Sequence, residues 1–232
     1  MKTAFITGGT RGIGLGIAQA LLADGWNVAV TGRSEASVHA ALEQLGAADH
    51  SRVAGFVCDV RQYSGQVKAV EATIARFGGI DLLVANAGIG HFAPIGELDI
   101  EQWQETIDTN LTGAFFSVKA CLHALINSRG YIITISSLAG TNFFATASAY
   151  NASKFGLTGF TQAVMLDLRK YGIRVSTIMP GSVATDFNNN KHEKDESWKI
   201  QIEDIGRMVS DLMKLNPRTL PSKIEVRPSN PV

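Results

Sequence analysis

The sequence predicts an α/β domain built on a doubly wound, parallel sheet of about seven strands with helices on both faces. Short apolar runs alternate with segments of helical period along the chain, which is typical of repeated βαβ units. Most of these runs are continuous and β-branched, as expected of strands that helices cover on both sides. Because no repeat, low-complexity tract or interdomain linker interrupts the alternation, we expect a single domain over residues 1–232.

The elements can be assigned in chain order from this pattern. Strands are expected at 2–7, 27–31, 52–57, 80–85, 130–136, 174–178 and 224–226. Two amphipathic helices are indicated by apolar residues at helical spacing, namely Ile13, Ile17, Ala20 and Leu21, then Val67, Val70, Ile74 and Phe77. Two longer helices are predicted at about 100–126 and 150–171.

Composition narrows the classes of function. The 232 residues are 45% hydrophobic and 18% charged, which suits one globular domain with a continuous core. Lys plus Arg and Asp plus Glu both number 21, so no overall field attracts nucleic acid or an anionic membrane. Cys58 and Cys121 have neither disulfide nor metal-ligand spacing, so we expect buried thiols and no metal site. Since no signal-like N-terminus or apolar stretch of about 18 residues occurs, the expected location is the cytoplasm.

A glycine-rich loop joins the first predicted strand to the first predicted helix. Five of the nine residues from Gly8 to Gly16 are glycine, in the spacing G-x-x-x-G-x-G from Gly8 to Gly14. Glycine permits positive φ and lets the backbone approach a ligand closely, while a helix N-terminus offers unpaired N–H groups. Strand, glycine loop and helix in this order indicate a site for the pyrophosphate of a dinucleotide.

Two arginines bear on which dinucleotide binds. Arg11 lies inside the loop and Arg33 follows the second strand, where the adenosine ribose is expected. A NAD site usually has an acidic residue there for the ribose 2′-hydroxyl, whereas a base suits the 2′-phosphate of NADP. Two solvated surface arginines would give the same sequence. We predict NADP(H) as the cofactor and keep NAD(H) as the alternative.

Three residues form a candidate catalytic group. Tyr150 and Lys154 lie four residues apart at the start of a predicted helix, so they share one helix face. A nearby ammonium would lower the pKa of the phenol, which suits a general acid in reduction and a general base in oxidation. Ser137 ends the fifth predicted strand, at the sheet edge where its hydroxyl could hold a substrate oxygen. Each residue has a structural explanation by itself, and their combined spacing favours catalysis.

These motifs resemble the short-chain dehydrogenase/reductase family in its compact, single-domain form, which has a Rossmann-type fold. The likeness spans nearly the whole chain and rests on five motifs in the family's order. They are T-G-x-x-x-G-x-G from Thr7, Asn86-Ala87-Gly88 after the fourth strand, Asn110 within residues 109–113, the Tyr150 and Lys154 pair, and residues 180–185 after the sixth strand.

The resemblance implies a role for each matching residue. Asn110 would hold a water that links Lys154 to solvent, and Lys154 would also hydrogen-bond the nicotinamide ribose. Ser137 would polarise the carbonyl, Tyr150 would exchange the proton, and hydride would leave the pro-S face of the nicotinamide C4. The predicted catalytic residues are Asn110, Ser137, Tyr150 and Lys154. The predicted cofactor-binding residues are Gly8, Thr10, Arg11, Gly12, Ile13, Gly14, Arg33, Asp59, Val60, Asn86, Ala87, Gly88, Tyr150, Lys154, Pro180, Gly181, Val183 and Thr185.

The chain departs from the family pattern in two places. Ala85 stands where many members have asparagine, a change that should leave cofactor binding intact. Residues 220–228 lack the V-D-G-G signature of members with a fatty-acyl reductase role, so inferences based on that signature do not transfer. The resemblance still implies a homodimer or homotetramer built largely on the two long helices, with a small molecule as the other partner.

The leading hypothesis is an NADP(H)-dependent oxidoreductase acting on a carbonyl or secondary alcohol. One alternative is an alcohol dehydrogenase that prefers NAD(H). Another is a non-catalytic, cofactor-sensing module, although such proteins usually lose the tyrosine or lysine that this chain keeps. An epimerase or dehydratase of the family's extended branch would need a further C-terminal domain, for which 232 residues leave no room.

The substrate side of the site is less defined by the sequence. Phe92, Phe143 and Phe144 could line an apolar pocket, or they could pack in the core or at a subunit contact. Residues 186–200 include a polar stretch beyond Pro180-Gly181, which could be a solvated surface loop or a lid over the substrate. The identity of the substrate is left open.

Overall fold

In the computed structural model, which describes residues 1–46, 49–187 and 196–230, seven parallel strands form one sheet. The strands are β1 (Thr3–Thr7), β2 (Asn27–Gly32), β3 (Val53–Val57), β4 (Leu82–Ala85), β5 (Tyr131–Ile135), β6 (Arg174–Pro180) and β7 (Lys223–Val226). Their order across the sheet is β3-β2-β1-β4-β5-β6-β7, so the chain winds outward from β1 in both directions. The predicted fold class is confirmed, and every predicted strand lies within two residues of its observed bounds.

Helices cover both faces of this sheet. They are α1 (Gly12–Ala23), α2 (Glu35–Gly46), α3 (Tyr63–Phe77), α4 (Ile100–Ile107), α5 (Gly113–Ser128), α6 (Ser148–Leu168) and α7 (Ile202–Lys214). Successive residues of a strand point to opposite faces, so Ile6 packs with Ile17 of α1 and Val209 of α7. Phe5 joins the other layer, with Leu125 of α5. Burial on both faces explains why the strands read as continuous apolar runs.

Two helices were not predicted from the sequence. The apolar pattern of α2 is short and includes a small residue, with Val38, Ala41 and Leu45 buried. In α7, apolar residues do recur at helical spacing, at Ile205, Val209 and Leu212. This helix lies beyond the polar stretch and was not predicted.

The predicted helix at 100–126 contains an irregularity. Its backbone is helical throughout, but residues Asp108–Thr112 form a π-turn between α4 and α5. A π-turn inserts an extra residue into the helical ladder and is frequent at functional sites. It carries the predicted residue Asn110. The predicted helix at 150–171 is α6, followed by a 3₁₀ turn at Arg169–Tyr171.

Both cysteines are buried and neither forms a disulfide. Burial raises the pKa of the Cys58 thiol to about 11 and raises that of Cys121 further, so both thiols stay protonated. In the described part of the chain, the helices are too short or too polar to span a bilayer.

Candidate active site

A cleft of about 490 Å³ opens at the carboxyl edge of the sheet, where β1 neighbours both β2 and β4. This reversal of strand order is the place where open α/β sheets bind ligands. Most of the predicted site residues line the cleft, namely Gly8, Thr10, Arg11, Gly12, Ile13, Arg33, Asp59, Val60, Asn86, Ala87, Gly88, Ser137, Tyr150, Lys154, Pro180, Gly181, Val183 and Thr185. Gly14 and Asn110 are buried and do not line it.

The glycine loop has the shape that an extended phosphate ligand requires. Gly8 and Gly12 have φ of 61° and 54°, a region that side chains other than glycine rarely adopt. A Cβ at Gly8 would lie 2.9 Å from the Cα of Ala87, across the narrow base of the cleft. Since α1 begins at Gly12, its first N–H groups and positive dipole end face the cleft. These features fit a dinucleotide pyrophosphate.

Gly14 was predicted to bind the cofactor, which stays a prediction, and in the structure it also has a packing role. A Cβ at Gly14 would lie 2.5 Å from Asn86 Nδ2 and 2.6 Å from the carbonyl oxygen of Gly8. Asn86 Nδ2 donates to the carbonyls of Thr7 and Gly8, at 2.9 and 3.0 Å. The absence of a side chain at Gly14 therefore lets Asn86 brace the loop.

The side of the cleft where an adenosine is expected is strongly charged. Arg11 and Arg33 are both exposed at its rim. Asp59 forms an ion pair with Arg61 at 2.6 Å, and this hydrogen-bonded partner lowers the pKa of the Asp59 carboxyl. Arg61 also reaches Glu105 of α4 at 3.2 Å. Neither Arg61 nor Glu105 was singled out from the sequence, because their pairing joins a loop and a helix that are distant along the chain.

Ser137 and Tyr150 lie together on the wall of the cleft formed by β5 and α6. Ser137 Oγ accepts from the Ala139 N–H at 3.1 Å, which fixes the serine at the start of a 3₁₀ turn. Burial raises the pKa of Tyr150, and the hydrogen-bonding interaction with Ser137 lowers it in part. The net shift is upward, opposite to the direction predicted from the Lys154 ammonium.

The environment of Lys154 disfavours its charged form. Its side chain is buried, and Nζ donates to the carbonyl oxygen of Ile135 at 2.9 Å. Nζ lies 5.7 Å from the centre of the Tyr150 ring. Burial lowers the pKa of Lys154 to about 8, because the charged form is desolvated. The structure therefore presents a protonated phenol beside an amine that can titrate near neutral pH.

Asn110 braces the site from the π-turn. Its Oδ1 accepts from the Ile89 N–H at 2.8 Å, and its Nδ2 donates to the Ile89 carbonyl and to Ser153 Oγ at 2.8 and 2.9 Å. It thus joins the loop after β4 to helix α6. A Cβ at Gly88 would lie 3.3 Å from Asn110 Oδ1 and 3.5 Å from Lys154 Nζ, so both groups adjoin this glycine. The water-holding role of Asn110 stays a prediction.

The segment after β6 closes the other end of the cleft. The Ile200 N–H donates to the Ser182 carbonyl at 3.0 Å, and the Ala184 N–H donates to the Ile200 carbonyl at 2.9 Å. These bonds hold residues 182–184, which include the predicted Val183, against residue 200. Of residues 186–200, for which a surface loop and a lid were both considered, residues 188–195 lie outside the described residues.

Aromatic side chains lie around Tyr150 and along the cleft, and two of them, Phe187 and Trp198, were not singled out from the sequence. The ring centres of Phe92 and Phe187 lie 5.3 and 5.8 Å from that of Tyr150, and Phe144 stacks on Phe92 at 6.0 Å. Trp198 also lines the cleft, and its buried Nε1 has no hydrogen-bond partner among the described residues. Phe187 and Trp198 flank the polar stretch and carry no spacing signal, so only the fold brings them to the site. The apolar substrate pocket stays a prediction, and of the phenylalanines that could line it Phe143 is exposed.

The comparisons with known proteins identify the family. A family model described as short chain dehydrogenase matches residues 2–196. The chain belongs to the short-chain dehydrogenase/reductase family. It is therefore an oxidoreductase of that family, and the resemblance inferred from the five motifs is confirmed.

Similar members of the short-chain dehydrogenase/reductase family have several substrates. The chain is 39% identical over 189 residues to trans-4-hydroxycyclohexanecarboxylate dehydrogenase of Sinomonas cyclohexanicum, covering 79% of this chain and 73% of the relative. It is 38% identical over 185 residues to D-beta-hydroxybutyrate dehydrogenase of Cupriavidus necator, covering 79% and 71%. The alcohol dehydrogenase from the archaeon Thermococcus sibiricus, solved with 5-hydroxy-NADP, superposes with a TM-score of 0.92 at 28% identity, covering 99% and 97%.

Proposed function

We propose that this short-chain dehydrogenase/reductase depends on NADP(H) and interconverts a carbonyl and a secondary alcohol, with Tyr150 as general acid and base. The observation that carries the proposal is the grouping of Tyr150, Ser137 and buried Lys154 in one cleft with the glycine loop. A module that only senses the cofactor would not need this grouping. Bound nicotinamide would supply or accept the hydride.

The residues of the chain would divide the remaining work among them. The glycine loop and the start of α1 would hold the pyrophosphate, and the segment containing Val183 and Thr185 would bind the nicotinamide end. Ser137 would hold the substrate oxygen. Tyr150, whose pKa burial raises, keeps its proton at neutral pH and would donate it from Oη to that oxygen. Lys154, with a pKa of about 8, would bind the ribose and help return the proton.

The preference for NADP(H) over NAD(H) rests on charge at the rim of the cleft. Arg11 and Arg33 both line the cleft, on the side where the adenosine ribose is expected. A guanidinium can form paired hydrogen bonds with a phosphate. The complex of the Thermococcus relative with an NADP derivative supports this preference.

The substrate class follows from the aromatic wall around Tyr150. Phe92, Phe144 and Phe187 favour an apolar carbonyl or secondary alcohol, with Trp198 Nε1 as a donor for one acceptor group on the ligand. The names of the Sinomonas and Cupriavidus relatives each describe a secondary alcohol. We further propose a homo-oligomer in the cytoplasm.

The test is the substitution of Tyr150 by phenylalanine, which removes the proton donor and keeps the ring. Turnover of NADPH with a ketone or aldehyde should fall by about 10²–10⁴-fold, while NADP⁺ binding measured by calorimetry stays close to that of the wild type. Tyr171→Phe, on the exposed turn after α6, is the matched control and should keep its activity. Undiminished turnover by Tyr150→Phe would overturn the assignment.

A further inference from the structure

Glu105 lies at the centre of a charged cluster that joins four segments of the chain. Its Oε1 lies 3.2 Å from Arg61 Nη1 and 3.8 Å from Arg33 Nη1, and its Oε2 lies 3.0 Å from His91 Nε2. Arg33 follows β2, Arg61 follows β3 and His91 follows β4, while Glu105 belongs to α4. The cluster therefore forms where these loops meet at the adenosine side of the cleft.

The position of this carboxylate is unexpected for a site that binds a phosphate. Arg11, Arg33, His91 and Glu105 line one shared hollow beside the main cleft. A 2′-phosphate that reaches Arg33 would therefore come close to the negative charge of Glu105. Two negative groups that lie close together repel each other. At physiological salt, screening limits this repulsion to about 8 Å, which is the Debye length.

The two arginines of the cluster are held with different strength. Arg61 binds both Asp59 and Glu105 with short contacts, and together with His91 it fixes the position of the Glu105 carboxylate. The contact between Arg33 and Glu105 is long, at 3.8 Å, and the Arg33 side chain is 59% exposed. An exposed ion pair of this kind is weak, so a phosphate can take Arg33 away from Glu105. Glu105 itself stays in place.

We propose that Glu105 is a specificity-determining residue that limits the preference of this site for NADP(H) over NAD(H). It pairs with Arg33 when no phosphate is bound, and it opposes the 2′-phosphate when NADP(H) binds. The ribose of NAD(H), which carries no such phosphate, does not meet this repulsion. This inference rests on the proposed binding of a nicotinamide dinucleotide in the cleft.

The experiment measures the Kd of NADP⁺ and of NAD⁺ by calorimetry for the wild type, Glu105→Gln and Glu101→Gln. Glutamine keeps the hydrogen-bonding shape of Glu105 and removes its charge. The Kd of NADP⁺ should fall about three- to ten-fold in Glu105→Gln, and that of NAD⁺ should stay within about two-fold. The effect on NADP⁺ should shrink in high salt. Glu101→Gln removes the same charge from an exposed position of α4 and should leave both Kd values unchanged.

Two results would overturn the inference. If both Kd values stay unchanged in Glu105→Gln, the carboxylate does not oppose the phosphate. Equal weakening of both cofactors would show that Glu105 only holds the loops together. If the proposed function itself is wrong, the wild type already shows it, because it would bind NAD⁺ as tightly as NADP⁺ or bind neither. A wild type that prefers NAD⁺, with a ratio that Glu105→Gln shifts towards NADP⁺, would support the inference and contradict the proposed cofactor.

Discussion

At the scale of single residues, Lys154 shows how function and stability oppose each other in this protein. Its amine is buried with the Ile135 carbonyl as its acceptor, and burial lowers its pKa to about 8 from an ordinary value of 10.5. Keeping the charged form inside the folded protein therefore costs about 3 kcal/mol at neutral pH. The proposed catalytic role of Lys154 is therefore accompanied by a cost in stability.

Lys154→Met should abolish turnover and raise the unfolding free energy by about 1–2 kcal/mol at pH 7. Removing the buried charge recovers most of its desolvation cost, and the loss of the bond to the Ile135 carbonyl offsets part of that gain. Urea unfolding of the two proteins measures the difference. Lys119→Met, on the exposed face of α5, is the control and should change little.

The lowered pKa of Lys154 also predicts how the difference in stability between the wild type and Lys154→Met depends on pH. The folded protein releases the Lys154 proton near pH 8 and the unfolded chain near 10.5, so the unfolded state binds more protons between these values. The unfolding free energy of the wild type therefore rises with pH in that interval. The difference in unfolding free energy between Lys154→Met and the wild type becomes smaller. A methionine variant that is less stable at pH 7, or a gap that does not change with pH, would contradict the assigned environment.

Individual site residues differ in how far the sequence could predict them. Tyr150 and Lys154 follow from helical spacing, and Ser137 follows from the end of a strand, because these are local properties of the chain. The direction of the Tyr150 pKa shift could not be predicted, since it depends on burial by residues that the fold supplies. Glu105 was missed because its three partners come from three separate loops.

At the scale of elements, the glycine loop and the start of α1 act as one unit braced by Asn86. The amide of Asn86 donates to two carbonyls of the loop, and Gly14 leaves the space that this amide occupies. The loop conformation is therefore fixed by a packing contact as well as by the backbone freedom of Gly8 and Gly12.

Gly14→Ala should disrupt this unit. The added Cβ would lie 2.5 Å from Asn86 Nδ2, so the amide must leave its two carbonyl partners. We expect a loss of about 1–3 kcal/mol in unfolding free energy, together with weaker NADP⁺ binding, measured by urea unfolding and by calorimetry. Gly65→Ala in α3 is the control, because its Cβ would meet Cys58 Sγ at 3.7 Å and Gln62 Cβ at 3.9 Å, both ordinary contacts. Wild-type stability and affinity in Gly14→Ala would refute the bracing role.

The helices show where sequence patterns were sufficient and where they were not. α1, α3 and α6 have clear apolar faces and were predicted. The π-turn at Asp108–Thr112 leaves no mark in the apolar period, because the helix continues on both sides of it. It nevertheless contains Asn110, whose side chain hydrogen-bonds Ile89 and Ser153.

At the scale of the whole molecule, the order of strands explains why one cleft collects residues from most of the chain. The order β3-β2-β1-β4-β5-β6-β7 brings the ends of β1 and β4 together, and the glycine loop, Asn86 and Ser137 then share one edge. Alternation of apolar runs was sufficient to predict a doubly wound parallel sheet, because parallel crossovers are strongly constrained. The order of its strands comes from the structure. The assembly into a dimer or tetramer stays a prediction.

The most direct test of the account follows hydride from the cofactor into product. The protein is incubated with ketones and aldehydes and with NADPH that carries deuterium at the 4-pro-S position, and the alcohols formed are analysed by mass spectrometry. We predict that the wild type gives an alcohol with one deuterium on the carbinol carbon, and that Tyr150→Phe gives almost none. An alcohol formed without the label, or labelled equally by Tyr150→Phe, would contradict the account.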